Sequence, residues 1–194
     1  MNRSSAVRSF AMANMLLEAD LDKTEEQYQI DLGRVKASTS KIEDAYFPQF
    51  DLALRAEAKR MARHYEIFYC LERSIRQLLT DVFDASNEED WWDKLVPDVV
   101  KQNVRKSVRK ERESAVTPRS GRDIDYTTFG ELSEIIKSNW NLFGGTVFSD
   151  IKAVEKVMGN LNSLRNPIAH CSPLADDEVL RLELSLRDWF RIIA

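Results

Sequence analysis

The stretch LNSLRNPIAHCSPL holds the residues with the most chemistry to offer. Arg165 and His170 stand five positions apart, with Asn166 and Pro167 between them. An imidazole titrates near neutrality and can take or give a proton. A guanidinium presents a planar fork of donors that matches phosphate oxygens. The pair therefore suits cleavage of a phosphodiester. A single histidine at a helix end is also commonly a cap or a structural hydrogen-bonder, so the surroundings must decide. The other histidine, His64, lies in an arginine-rich turn of a predicted long helix.

Spacing limits what a straight helix can do here. Five residues turn through about 500°, which leaves the two side chains about 140° apart. Pro167 disrupts the turn it enters, and Pro173 opposes continuation soon after. The segment is predicted to kink or terminate, which allows Arg165 and His170 to converge, in one chain or with copies from a second subunit. Asn166 adds a polar side chain at the bend.

The elements that must carry this segment are helical. Gly and Pro are scarce, at six and five residues, among runs of Leu, Ala, Glu, Lys and Arg. Residues 4–20 form an amphipathic helix with Val7, Phe10, Asn14 and Leu17 on one stripe, and 20–48 read as an irregular arm or linker. From Asp51, the residues Leu54, Ala58, Met61, Tyr65, Phe68, Glu72, Ile75, Leu79 and Val82 alternate steps of four and three, the stripe of a long spine helix. Glu72 interrupts that stripe. A carboxylate on an apolar face needs a partner, and Arg76, four residues on, is one candidate, with a more distant cation the other.

Ser86 or Asn87 is expected to cap the next helix, anchored by Trp91 and Trp92 and broken or kinked at Pro97. Residues 101–122 then carry eight basic side chains against two acidic ones. Lys106, Arg109 and Lys110 are the candidate phosphate-binding residues in this strip, although such a run is most often a solvated helix face. A loop follows. A helix starting at Thr127 or Thr128 buries Phe129, Leu132, Ile135, Ile136, Trp140 and Phe143 and ends at Gly144-Gly145. Ser149 is the expected cap of a further helix facing Val154, Val157, Leu161 and Leu164 inward. The last helix opens on Asp176, Asp177 and Glu178 and has Val179, Leu182, Leu186, Trp189 and Ile193 as its stripe. No strand-period segment appears. The fold class is all-α, a helical domain over 51–194 behind an N-terminal helical and irregular extension over 1–50.

Composition narrows the function classes. A hydrophobic share of 43% with 31% charged residues describes a globular chain. The formal net charge of −4 confines any nucleic-acid surface to a local patch. Two cysteines, Cys70 and Cys171, build no disulfide framework, and with two distant histidines they make no metal-ligand spacing. No metal and no cofactor are expected, and a reducing, cytoplasmic compartment is. No run approaches the roughly 20 apolar residues of a membrane span, so no membrane partner is expected. A faint echo of a transit peptide at Arg3 and Arg8 is discounted, because acidic residues follow at once.

At this point the resemblance is specific. RNPIAH resembles the Arg-x4-6-His motif of the HEPN superfamily, including the Asn that commonly follows the Arg. YEIFYCLERSIRQLL resembles the family's first core helix, with an inward Glu near an Arg. DYTTFGELSEIIKSNWNLF followed by LNSLRNPIAHCSPLADDEV is similar to Swt1-type HEPN domains found in prokaryotic defence and toxin-like proteins. The likeness covers roughly residues 65–193. It implies a four- or five-helix fold that dimerises, bringing two motifs into one cleft, and metal-independent RNA cleavage. Arg165 matches the motif arginine, Asn166 its polar neighbour and His170 the motif histidine, which makes these three the candidate catalytic residues. Glu72 and Arg76 match the supporting polar pair loosely. Pro167 is a less usual filler.

The chemistry agrees with that implication. RNA carries its own nucleophile, the 2′-hydroxyl. Cleavage needs a base, an acid and positive charge beside the phosphorane. A two-fold homodimer would supply two copies of His170, one for each proton role, with Glu72 holding Arg165 from the core side. A second class stays open: a non-catalytic RNA- or nucleotide-binding or dimerisation module, partnered by an antitoxin or a defence-complex protein. A nucleotidyl-transfer enzyme lacks support, since no Gly-rich phosphate loop or paired metal-binding carboxylates appear.

Overall fold

A computed structural model describes residues 3–28, 30, 32, 46–86 and 88–193. The chain divides into two compact units, Met1–Phe50 and Asp51–Ala194. In the first, helix α1 spans Arg3–Tyr28. It runs past the stretch read as helical because Lys23, Glu25 and Gln27 are good helix formers that no Gly or Pro interrupts. Phe10 and Leu17 of the expected stripe are exposed. Residues 33–45 of the predicted arm lie outside the described residues. A 3-10 turn at Phe47–Gln49 closes this unit.

The second unit starts with α2, Leu52–Ala85. The Asp51 carboxylate caps it by accepting from the N–H groups of Ala53 and Leu54. Phe68, Leu71, Ile75, Leu79 and Phe83 are its buried face. The expected stripe is longer than that, but Leu54 and Tyr65 are more than half exposed. An apolar period tells which face would be buried, and only a neighbouring element decides whether it is.

Ser86 ends α2 and does not begin the next helix. Its hydroxyl donates to the Phe83 carbonyl at 2.7 Å, and Asn87 lies outside the described residues. Helix α3, Trp91–Leu95, starts instead from Asp90 in the left-handed region, at φ 60°. Trp91 stacks on Phe83 with ring centroids 4.8 Å apart. Pro97, which has no N–H to satisfy, precedes α4, Asp98–Glu113, whose Val100 and Val104 are buried.

A 3-10 turn at Asp123–Tyr126 leads to α5, Phe129–Ser138. A capping box between Thr128 and Glu131 sets its start. The single helix expected from here to Phe143 is two. Asn139 divides α5 from α6, Trp140–Phe143. Its buried side chain donates to the carbonyls of Ile135 and Leu95, both at 2.9 Å, which ties this break to α3. Gly144 allows the chain to leave: a Cβ there would lie 2.6 Å from the Trp140 indole.

Helix α7 spans Ile151–Ala169 and α8 spans Asp176–Ile192. Asp150, not Ser149, caps α7, its carboxylate accepting from the Ala153 N–H at 2.9 Å. Val154, Val157, Met158, Leu161, Leu164 and Ile168 face inward, so that α7 packs against α8, α5 and α2. Phe143, Phe148 and Trp189 meet ring to ring at the centre. The fold is all-α. Among the described residues there are isolated bridges at Phe148 but no strand, and no helix is long and apolar enough to cross a membrane.

Candidate active site

The site is built where the end of α7 meets the middle of α2. Arg165 stands beside Leu164 and Ile168 on α7, both buried, so the root of its side chain lies at the edge of the core. The side chain is one-third exposed. Its Nε lies 3.6 Å from the Glu72 Oε2. The other oxygen of that carboxylate accepts from Arg76 Nη2, which also donates to the Thr127 carbonyl at 2.8 Å. One carboxylate, only 16% exposed, thus holds two guanidiniums from two helices. This arrangement answers the interruption in the α2 stripe, since a carboxylate that far from water must be paired. Both candidate partners are present at once.

Pro167 does not break α7 on arrival. The helix continues to Ala169, and His170 is its C-cap, at φ −100° and ψ 19°. The end is a Schellman closure: the Cys171 N–H donates to Ile168 at 3.2 Å and the Ser172 N–H to Pro167 at 2.9 Å. Cys171 occupies the left-handed position, φ 55°, usually taken by glycine. His170 therefore leaves the helix just before the chain turns. It is exposed, and its ring makes no hydrogen bond among the described residues. Asn166 is exposed as well.

A cleft of about 170 Å³ opens beside this cluster. Glu72, Arg76 and Arg165 line it with Tyr65, Tyr69 and Arg73, and Ile168 and Ala169 belong to its wall. His170 is not among the lining residues; it stands one residue past Ala169 at the helix end. Within one chain, then, Arg165, Glu72 and Arg76 are brought together, whereas no hydrogen bond joins Arg165 to His170 among the described residues. Tyr69 and Arg73 are not among the candidates the sequence pattern singles out; the four-residue spacing that continues from Tyr65 is the signal for them, although Tyr65 itself falls in the apolar stripe.

The basic candidates occupy a different surface. Lys106, Arg109 and Lys110 are exposed on α4. Among the described residues neither they nor Arg112 has an acidic partner. Arg105 is exposed and reaches Asp93 only at 4.0 Å, whereas the other three cations of the strip are tied down. Lys101 is nearly buried and bonds to Asp98 at 2.9 Å, Arg119 pairs with Glu111 at 2.7 Å and Arg122 with Asp125 at 3.1 Å. The Arg119 N–H and guanidinium hold the Glu111 carboxyl below its ordinary range. Burial pushes Asp125 upward, but the Ser120 hydroxyl and Arg122 outweigh it, and its carboxyl also titrates low.

Compared with known proteins, the chain matches one family model over residues 66–194, described as Swt1-like HEPN. No curated protein and no solved structure matches it.

Proposed function

Because this chain belongs to the Swt1-like HEPN family, we propose that it is a metal-independent endoribonuclease of the toxin or antiviral-defence type, acting at a site composed by two copies of the chain. The observation that carries this reading is the Glu72 carboxylate gripping Arg165 at the mouth of a cleft, with His170 exposed just beyond. A guanidinium held from behind keeps its outward donors aimed, which favours a phosphate arriving from solvent.

The steps follow from the groups present. One His170 takes the proton of the 2′-hydroxyl as its oxygen bonds to phosphorus. The other His170, from the second copy, protonates the 5′-oxygen as the P–O5′ bond breaks. Arg165 offsets the charge gathering on the phosphorane oxygens, and Asn166 offers an amide beside it. The products are a 2′,3′-cyclic phosphate and a free 5′-hydroxyl. Lys106, Arg109 and Lys110 form the track along which RNA is drawn. The free cysteines Cys70 and Cys171 are both exposed, which suits action in a reducing, cytoplasmic setting.

The test is cleavage of a labelled RNA by the purified full chain in EDTA. Cuts ending in cyclic phosphate are expected, and a 2′-deoxy substitution at the cut nucleotide should abolish them. RNA binding without turnover would favour the second reading, a binding or dimerisation module within a toxin–antitoxin or defence complex. The exposed His170 ring, with no hydrogen bond to orient it among the described residues, is the feature that reading would rest on.

A further inference from the structure

Tyr65 and Tyr69 are both more than half exposed, on the same face of α2. Their ring centroids lie 6.2 Å apart with a tilt of 36°. Arg73 continues the row four residues on, exposed and without an acidic partner among the described residues. All three line the cleft with Glu72 and Arg76 of the same helix and Arg165 of α7. Two phenol rings left in water on a helix that buries Phe68 and Leu71 one step away call for a reason.

We infer that this row is a stacking subsite for unpaired bases of single-stranded RNA, adjoining the phosphate held by Arg165. The inference rests on the ribonuclease reading for where the phosphate sits. Aromatic faces stack on any base, and a guanidinium plane does the same while attracting the backbone. Positive charge lines the cleft through Arg73, Arg76 and Arg165, and Glu72 is already engaged by two of them. The occupant is therefore polyanionic with flat apolar faces, which describes single-stranded RNA. Bases in a duplex keep their faces against each other and cannot reach the rings. The subsite thus selects loops and unpaired stretches over helices.

The experiment measures binding apart from cleavage. The probe is a labelled oligonucleotide that is 2′-deoxy throughout its cut region, offered single-stranded or annealed to its complement. Y65A/Y69A should weaken single-strand binding on the order of tenfold or more and leave duplex binding unchanged. Y65F/Y69F, which keeps the ring faces, should bind like the parent. A 2-aminopurine base in the single strand should lose fluorescence on the parent and not on the alanine variant. Unchanged single-strand affinity in Y65A/Y69A, or a parent that does not bind the probe, overturns the subsite. Loss of dimer in sedimentation without loss of RNA affinity overturns it too, and assigns the rings to a protein interface. A failure to cleave any RNA leaves these readouts standing, so the two readings fail separately.

Discussion

Two groups of cations in this molecule are held in opposite ways. On α4, Lys106, Arg109, Lys110 and Arg112 project into water with no acidic partner among the described residues. Where α2 meets α7, Arg76 and Arg165 converge on a single, largely buried carboxylate. Free cations on flexible stems attract a polyanion from a distance and tolerate any register. A guanidinium fixed by a carboxylate gives up that reach and gains direction. On the proposed reading, the difference separates holding RNA from acting on it.

Of the changes to these cations, removing the fixed one should produce the largest effect. Arg165→Ala is expected to slow cleavage by about 10²–10³-fold, the usual loss for one donor at a developing charge, while RNA affinity changes little. Single-turnover rates against titrated affinity would show the split. An equal loss in both would make Arg165 one more member of the attracting group.

Taking away the carboxylate attacks the same contrast from behind. Glu72→Gln leaves Arg76 and Arg165 without their shared anion. The cluster is only partly sealed, so the expected loss of stability is about 1–2 kcal/mol, below the range for fully buried pairs, read from urea unfolding. Cleavage should fall further than stability explains, because Arg165 would lose its aim.

Charge reversal on α4 should do the reverse. Changing Lys106, Arg109 and Lys110 to Glu is expected to flatten the dependence of log affinity on log salt by about 2, with little change in the rate at saturating RNA. An unchanged slope would return this helix face to a solvated surface.

The smallest effect concerns the cations already paired at the end of the strip. Glu111 and Asp125 titrate below their ordinary values of 4.5 and 3.8 in the folded protein. Carboxylates lowered by folding add stability above those values and surrender it as the pH drops through the folded ones. Acid should therefore loosen the 119–126 segment, and Glu111→Gln should lessen that dependence. Unfolding midpoints taken at pH 6 and below pH 4 would measure it.

Much of this was legible in the sequence, for physical reasons that vary by element. The Thr128 start of α5 follows from local chemistry, a hydroxyl and a carboxylate three residues apart. The inward face of α7 follows from periodicity alone. Glu72 was legible as a misfit in an apolar stripe, and the misfit marked the residue that grips Arg165. The break at Asn139 was hidden because its reason is a carbonyl 44 positions earlier, at Leu95. Tyr65 fits the apolar stripe yet is exposed, because no pattern within a helix tells whether another element covers it. The end of α7 near His170 was legible from Pro167 and Pro173, but not its left-handed form, since Cys171 fills a position that Gly or Asn normally announces.

The central claim is that His170 moves a proton at a phosphate positioned by Arg165. Cleavage of one labelled RNA in EDTA by the parent and by His170→Ala tests it most directly. The account predicts a rate lower by about 10²–10⁴-fold with RNA affinity preserved, whereas a variant that cuts as fast as the parent would contradict it.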